Sequence, residues 1–146
     1  MTAPVRELFL AEPPAQYLVL PPLVLDCSTL AGLIFRESWY QQALDQMRDR
    51  TLHAPALLPV EIASVALKKH RLGRPDIAND GMLQFAAMDV ELHGVKAHEV
   101  VALALRYQLS AYDACYLWLA AELKAPLATF DEKLAGAAKA HLATLT

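Results

Sequence analysis

The stretch that most constrains the fold runs from Ser110 to Asp131 and reads SAYDACYLWLAAELKAPLATFD. Residues 112–123 within it are apolar on nearly every face, with only Asp113 and Glu122 charged. A helix of this kind is buried inside a domain. Residues 125–130 form a short apolar run with one proline, the length of a buried parallel strand. The acid in the first turn of the helix and the acid after the strand therefore belong to a buried framework.

The composition fits one compact domain. A chain of 146 residues can bury a core unaided, and 55% hydrophobic with 20% charged residues is typical of a globular protein. The net charge of -3 gives no broad basic surface for nucleic acid, although a local basic patch can coexist with it. Cys27 and Cys115 have no metal-ligand spacing and form no disulfide framework, so we expect buried thiols in a reducing cytoplasm. The sequence has no pattern of a membrane span or secretion signal.

Strand and helix patterns alternate along the chain. Strands are predicted at 23–25, 52–54, 88–92 and 125–130, and helices at 27–35, 38–47, 57–71, from 75, around 100–107, at 112–123 and at 132–141. A capping box of Ser38 and Gln41 opens the second helix. This alternation predicts an α/β fold with a mostly parallel central sheet. Five of the nine prolines precede residue 23, which predicts an extended arm at 1–22 with a short strand at 17–20, and a domain at 23–146.

Four acids lie where a predicted strand ends or a helix begins. They are Asp26, Glu61, Asp113 and Asp131. Ligand sites of open parallel sheets form at the carboxyl ends of the strands, where such positions meet. Four carboxylates there would repel one another unless a divalent cation neutralised them, and oxygen ligands without a histidine or cysteine cluster favour magnesium or manganese over zinc. The pattern therefore predicts a magnesium or manganese site.

Each acid also has a purely structural interpretation. Asp26 and Asp131 can cap helices, and Ser110 with Asp113 matches the capping box S-x-x-D. Glu61 lies in a first turn, where the helix dipole stabilises an acid by ~0.3–1 kcal/mol. The shared position at one predicted sheet edge is what favours the metal site.

Other side chains have two interpretations as well. Ser28 and Thr129 each lie two positions from an acid and can orient its carboxylate, or simply cap a turn. The basic run Lys68, Lys69, Arg71 and Arg74 can contact RNA phosphates, or can be a solvated helix end. We expect the five histidines on the surface or in loops, and Trp39 and Trp118 in the core.

Four segments resemble the PIN-domain nucleases, and most of all the VapC-like toxins of bacterial toxin–antitoxin pairs. They are LVLDCSTL at 23–30, PALLPVEIASVALKK at 55–69, LSAYDACYLWLAAEL at 109–123 and APLATFDEKL at 125–134. The most specific part is YDACYLWLA followed by the T-x-D strand end. The resemblance covers residue 23 to the C-terminus, although the first acid lies further from the N-terminus than is usual and the usual last strand is short or absent.

The resemblance implies a three-layer α/β/α fold and a ribonuclease that cleaves single-stranded or loop RNA. It assigns Mg²⁺ or Mn²⁺ binding to Asp26, Glu61, Asp113 and Asp131, with Ser28 and Thr129 as supporting polar groups. It also implies an antitoxin that blocks the acidic groove, and a homodimer.

Two other classes of protein stay open. A catalytically silent PIN-fold protein would bind another protein and use its acids only as helix caps. A phosphate-accepting receiver domain is also a doubly wound sheet, but it needs an adjacent acidic pair early in the chain, and Asp26 has no acidic neighbour.

Overall fold

The computed structural model describes residues 8–11, 13–14 and 20–145. Within these residues four strands alternate with seven helices. The elements are β1 (Pro22–Leu25), α1 (Cys27–Ile34), α2 (Tyr40–Met47), β2 (Thr51–Pro55), α3 (Leu58–Arg71), α4 (Pro75–Ala87), β3 (Val90–His93), α5 (Ala97–Tyr107), α6 (Ala111–Leu123), β4 (Leu127–Ala128) and α7 (Glu132–Leu142).

The four strands form one sheet in the order β3-β2-β1-β4, and every neighbouring pair is parallel. In the register, Val24 lies opposite both His53 and Leu127, so β1 is a central strand. Helices α1 to α4 pack among themselves, and α6 packs against α5, α7 and the strands β1, β2 and β4. The predicted three-layer α/β/α fold with a parallel central sheet is confirmed.

Helix α6 is the buried helix that the sequence predicts. Residues 114–120 are all buried, and Leu117 and Ala120 have no exposed surface. Because its seven central residues are apolar and in contact with other elements on every side, α6 fixes the positions of the residues in its first turn. Strand β1 is equally buried, at 1% exposure or less from Leu23 to Leu25.

Several predicted boundaries shift. The N-cap of α2 is Trp39 with no side-chain hydrogen bond, so the predicted capping box of Ser38 is wrong. Because helix α2 begins at Tyr40, the N-cap position falls on Trp39 rather than on Ser38. The Gln41 side chain donates instead to the Asp45 carboxylate at 2.9 Å. The last predicted strand shortens to the two residues Leu127–Ala128, since Pro126 has no N–H to donate and the chain bends at residue 130.

The N-terminal segment is described in part. Residues 8–11 and 13–14 have no regular secondary structure, and the strand predicted at 17–20 falls mostly outside the described residues. Among the described residues, the first sheet hydrogen bond is the one that the Pro21 carbonyl accepts from the Thr51 N–H at 3.0 Å. Between α7 and residue 145 no further strand is present. None of the described helices has the length and apolar character to cross a membrane.

Candidate active site

Asp26 follows β1 directly and caps the N-terminus of α1. Its Oδ1 accepts hydrogen bonds from the Ser28 hydroxyl at 2.7 Å, the Thr29 backbone N–H at 3.0 Å and the Thr29 hydroxyl at 3.1 Å. Its Oδ2 accepts from the Thr129 hydroxyl at 2.5 Å. Only 6% of Asp26 is exposed. Groups from two separate segments therefore hold this carboxylate in one orientation.

The hydroxyl groups of Ser28 and Thr129 also join the segment after β1 to the segment after β4. Ser28 Oγ accepts from the Phe130 backbone N–H at 3.1 Å, and Thr129 Oγ1 accepts from the Asp131 backbone N–H at 3.0 Å. Both hydroxyls donate to Asp26, and the links between the two segments are the Phe130 N–H to Ser28 bond and the Thr129 hydroxyl to Asp26 bond. The carboxyl ends of the neighbouring strands β1 and β4 are fixed to each other at the point where two predicted site acids lie.

Glu61 lies in the first turn of α3 and is half-buried. Its Oε1 accepts a hydrogen bond from the Tyr116 hydroxyl of α6 at 2.5 Å. Tyr116 is itself 1% exposed, so its ring position is fixed by the core. This contact connects the start of α3 to the face of α6 that carries Asp113, three residues earlier on the same helix.

The predicted helix caps are confirmed. Ser110 Oγ accepts from the Asp113 N–H at 3.1 Å, and Asp131 Oδ1 accepts from the Leu134 N–H at 2.9 Å. These caps nevertheless leave carboxylate oxygens of Asp113 and Asp131 available to a ligand. In α6 the serine hydroxyl does the capping rather than the Asp113 carboxylate, and the cap of α7 uses one of the two Asp131 oxygens. A structural role and a ligand role are therefore compatible at both positions.

The four carboxyl groups influence one another electrostatically. Burial raises the pKa of Glu61; the Tyr116 hydrogen bond opposes this, and the charges of Asp113 and Asp26 add to it. Burial also raises the pKa of Asp113, as do the charges of Asp131 and Asp26. The fold thus brings the four predicted acids to one region. Among the described residues, no three of these acids have carboxylate oxygens within 4.8 Å of one another.

The two thiols near the acids are protonated. Burial, with the charges of Glu61 and Asp26, raises the pKa of Cys27 to about 12. Burial and the charge of Glu61 also raise the pKa of Cys115. Because the thiolate is the reactive form, these raised pKa values disfavour either cysteine as a nucleophile at neutral pH. The donor set of this region consists of carboxylate and hydroxyl oxygens, as a hard cation prefers.

The basic run lies further along α3. Lys68 is seven residues beyond Glu61, which places it ~10 Å along the helix axis on the same face. Lys68, Arg71 and Arg74 are exposed, whereas Lys69 is partly buried in an ion pair with Glu37. The side chains available to a ligand are therefore those of Lys68, Arg71 and Arg74.

Sequence reasoning missed three residues of this region. Tyr116 could have been found from its spacing of three after Asp113. Lys133, in the first turn of α7, lowers the pKa of Asp113. No local sequence pattern indicates that these two residues lie close together. Trp39 is half-buried beside the site rather than in the core: its indole N–H donates to the Ser28 carbonyl at 3.2 Å, and its ring contacts Phe130.

The expected placement of the histidines is wrong for three of them. His53 and His93 are half-buried on β2 and β3, and His141 is a half-buried residue of α7 that contacts the Tyr107 hydroxyl at 3.0 Å. His70 and His98 are exposed, as expected. Strand pairing brings His53 and His93 together across 40 residues, which local sequence could not show. Trp118 is buried in the core, as predicted.

Comparison with known proteins gives concordant matches. The PIN domain family matches residues 23–140. Over 120 residues the chain is 32% identical to Ribonuclease VapC3 of Pyrobaculum aerophilum, covering 77% of this chain and 92% of that protein. The fold is similar to the crystal structure of PAE2754 from Pyrobaculum aerophilum, with a TM-score of 0.65 over 84% of this chain and 93% of the other. At 24% sequence identity, that structural match shows the fold alone.

Proposed function

Because the chain belongs to the PIN domain family, we propose that it is a metal-dependent endoribonuclease that hydrolyses phosphodiester bonds in single-stranded or loop RNA. The observation that carries the proposal is the gathering of Asp26, Glu61, Asp113 and Asp131 around the start of α6. The similarity to Ribonuclease VapC3 supports RNA as the substrate. A catalytically silent binding module does not explain why four separate elements each bring an acid to this region.

The residues fit a divalent cation. Burial and the neighbouring acids raise the pKa values of Glu61 and Asp113, so ionising these carboxyl groups costs free energy that a bound cation would offset. The donor set of oxygens suits Mg²⁺ or Mn²⁺. Because the carboxylate oxygens are not tightly clustered, some of them would act through water, as Mg²⁺ commonly permits. When bound, the ion would make a water molecule more acidic and stabilise negative charge on the scissile phosphate.

Within this proposal the chain's own residues have distinct roles. We assign direct ligation of one or two ions to Asp26, Asp113 and Asp131, which would share them because no three of the described acids converge on one point in this structure. Ser28 and Thr129 hold the Asp26 carboxylate in its orientation, through the hydrogen bonds described above. Glu61, oriented by Tyr116, would bind through water or position the attacking water.

The RNA backbone would lie along α3. Lys68, Arg71 and Arg74 are exposed cations on or just beyond the last turn of this helix, and they offer contacts to phosphates on one side of the acids. Lys69 would contribute less, because its ammonium group is paired with Glu37. Lys133 lies near enough to Asp113 to lower its pKa and offers a further cation at the acidic region.

The test is cleavage of a mixed set of single-stranded and structured RNAs with Mg²⁺, Mn²⁺ or chelator. Wild type, Asp113→Asn and a matched control, Asp80→Asn, would be purified in parallel; Asp80 is an exposed acid on α4. We expect metal-dependent cleavage by wild type and Asp80→Asn, and a loss of at least about 100-fold in Asp113→Asn, since a ligand of the ion that stabilises the transition state is removed.

Asp113→Asn should be folded as stably as the wild type, because the pKa of Asp113 is raised and its ionised form does not favour the folded state. A folded Asp113→Asn protein that cleaves at the wild-type rate would refute the assignment. If no RNA is cleaved and calorimetry detects no binding of Mg²⁺ or Mn²⁺, the silent binding module becomes the better interpretation.

We further propose that the protein is the toxin of a toxin–antitoxin pair, acting as a homodimer in the cytoplasm. The similarity to a VapC ribonuclease supports this proposal. The natural partner would be an antitoxin whose basic side chain enters the acidic region. The test is to express this protein in a bacterial host with and without the protein encoded by the adjacent gene. We expect this protein alone to inhibit growth, the adjacent gene product to relieve the inhibition, and Asp113→Asn to cause none. Light scattering would measure the oligomeric state.

A further inference from the structure

A second group of potential metal ligands lies on the sheet at the pairing of β2 and β3. His53 lies opposite Glu91 in the parallel register, and Pro55 lies opposite His93. Side chains two residues apart on a strand point to the same face, and so do the side chains of paired residues. The two imidazoles and the carboxylate are therefore neighbours on one face of the sheet.

The ligand atoms of this group are close together. His53 Nδ1 lies 3.0 Å from His93 Nε2, and the Glu91 carboxylate oxygens lie 3.5 Å from the first nitrogen and 4.0 Å from the second. Two nitrogens on one tetrahedral zinc ion, each at ~2.0–2.1 Å, are roughly 3.3–3.4 Å apart. A small separation of the rings would admit the ion. Among the described residues, this is the one set of three such side chains with all ligand atoms within 4.8 Å.

The surroundings of His53 suit a metal ligand. Its other ring nitrogen, Nε2, lies 3.0 Å from the Thr51 hydroxyl. Metal-binding histidines commonly donate this second N–H to a neighbouring acceptor, which fixes the tautomer and the ring orientation. The side chains of His53 and His93 are 12% and 23% exposed, whereas that of Glu91 is 67% exposed. The imidazoles are sheltered, and the carboxylate side is open for an ion to enter.

We infer that His53, Glu91 and His93 form a binding site for a zinc-type transition-metal ion, separate from the acidic region. Two imidazoles and one carboxylate suit zinc or a similar divalent ion better than magnesium. Three protein ligands leave a fourth position for water. The ion would tie the edge strand β3 to β2. Since the His93 carbonyl also accepts from the Ala56 N–H at 2.8 Å, it would fix the segment that leads into α3 and Glu61.

The test is a titration of tag-free, chelator-treated protein with ZnCl₂ in buffer that holds excess MgCl₂, which would occupy the acidic region under the proposed function. Calorimetry and thermal unfolding should show about one zinc ion per chain and a higher melting temperature. His53→Ala and His93→Ala should each weaken binding by more than about 100-fold, since they remove ligands. Thr51→Val should weaken it about 10- to 100-fold, because it removes the hydroxyl that orients His53.

Two matched variants complete the design. His98→Ala removes an exposed histidine outside the group and should bind zinc as the wild type does. Asp113→Asn should also leave zinc binding unchanged, which separates this inference from the proposed nuclease. Glu91→Gln alters an exposed side chain without risk to the core and should weaken binding even if a histidine variant fails to fold. Absence of zinc binding in the wild type, equal binding in Glu91→Gln and the wild type, or loss of binding in Asp113→Asn would overturn the inference.

Discussion

Tyr116 illustrates how one residue joins the core to the site. Its ring is buried in α6, and its hydroxyl donates to Glu61 at 2.5 Å. This hydrogen bond favours the ionised carboxylate and so opposes the effects of burial and of Asp113 and Asp26, all of which raise the pKa of Glu61. The tyrosine therefore does for Glu61 what Ser28 and Thr129 do for Asp26: it holds an acid in place from a rigid element.

Replacement of Tyr116 by phenylalanine should raise the pKa of Glu61 further. A carboxyl group with a higher pKa is ionised over a narrower pH range, so the acidic limb of the pH profile of cleavage should move to higher pH. The shift is measured from kcat/KM against pH, and by NMR titration of the Glu61 carboxyl group in metal-free protein. Tyr112→Phe is the matched control, because Tyr112 lies one helical turn earlier and is 66% exposed. An unchanged Glu61 titration in Tyr116→Phe would contradict this account.

At the scale of elements, α7 allows capping and ligation to be separated. Asp131 caps this helix through its Oδ1, and asparagine caps nearly as well as aspartate but has no charge. Asp131→Asn should therefore keep the melting temperature and lose cleavage, whereas Asp131→Ala should lose cleavage and also about 0.5–2 kcal/mol of stability. Thermal unfolding and RNA cleavage, measured on both variants, check this. Full activity in Asp131→Asn would leave Asp131 with only its structural role.

The elements also show how far the sequence could predict the structure. The uniform apolar character of α6 and the alternation of strands and helices predicted the fold class and, to within one residue, the starts of the four helices α1, α3, α6 and α7 that place the acids. The strand order β3-β2-β1-β4 depends on contacts between distant segments, and so does the meeting of His53 with His93. The hydrogen bonds from the Thr129 hydroxyl to Asp26 and from the Phe130 N–H to Ser28 likewise join the segment after β4 to the segment after β1. Local patterns predict which elements form, whereas their pairing requires the three-dimensional structure.

At the scale of the whole molecule, charge limits how RNA can bind. The chain has a net charge of -3, and its four site acids repel phosphates unless a cation is bound. Affinity for RNA must then come from local cations. Those available are Lys133 at the acidic region and Lys68, Arg71 and Arg74 at the far end of α3, while Lys69 is already paired with Glu37.

This arrangement predicts a graded salt dependence. With the inactive Asp113→Asn protein and a single-stranded RNA in Mg²⁺, log K should fall linearly with log salt, and each phosphate contact should contribute about 0.7 to the slope. Lys68→Ala, Arg71→Ala and Arg74→Ala should each reduce the slope by about that amount, whereas Lys69→Ala, one residue along the same helix, should change it little. Fluorescence anisotropy at several salt concentrations gives the slopes. If all four variants reduced the slope equally, the pairing of Lys69 with Glu37 would not persist in solution, and if none did, the RNA would lie elsewhere and Lys133 would be the next cation to replace.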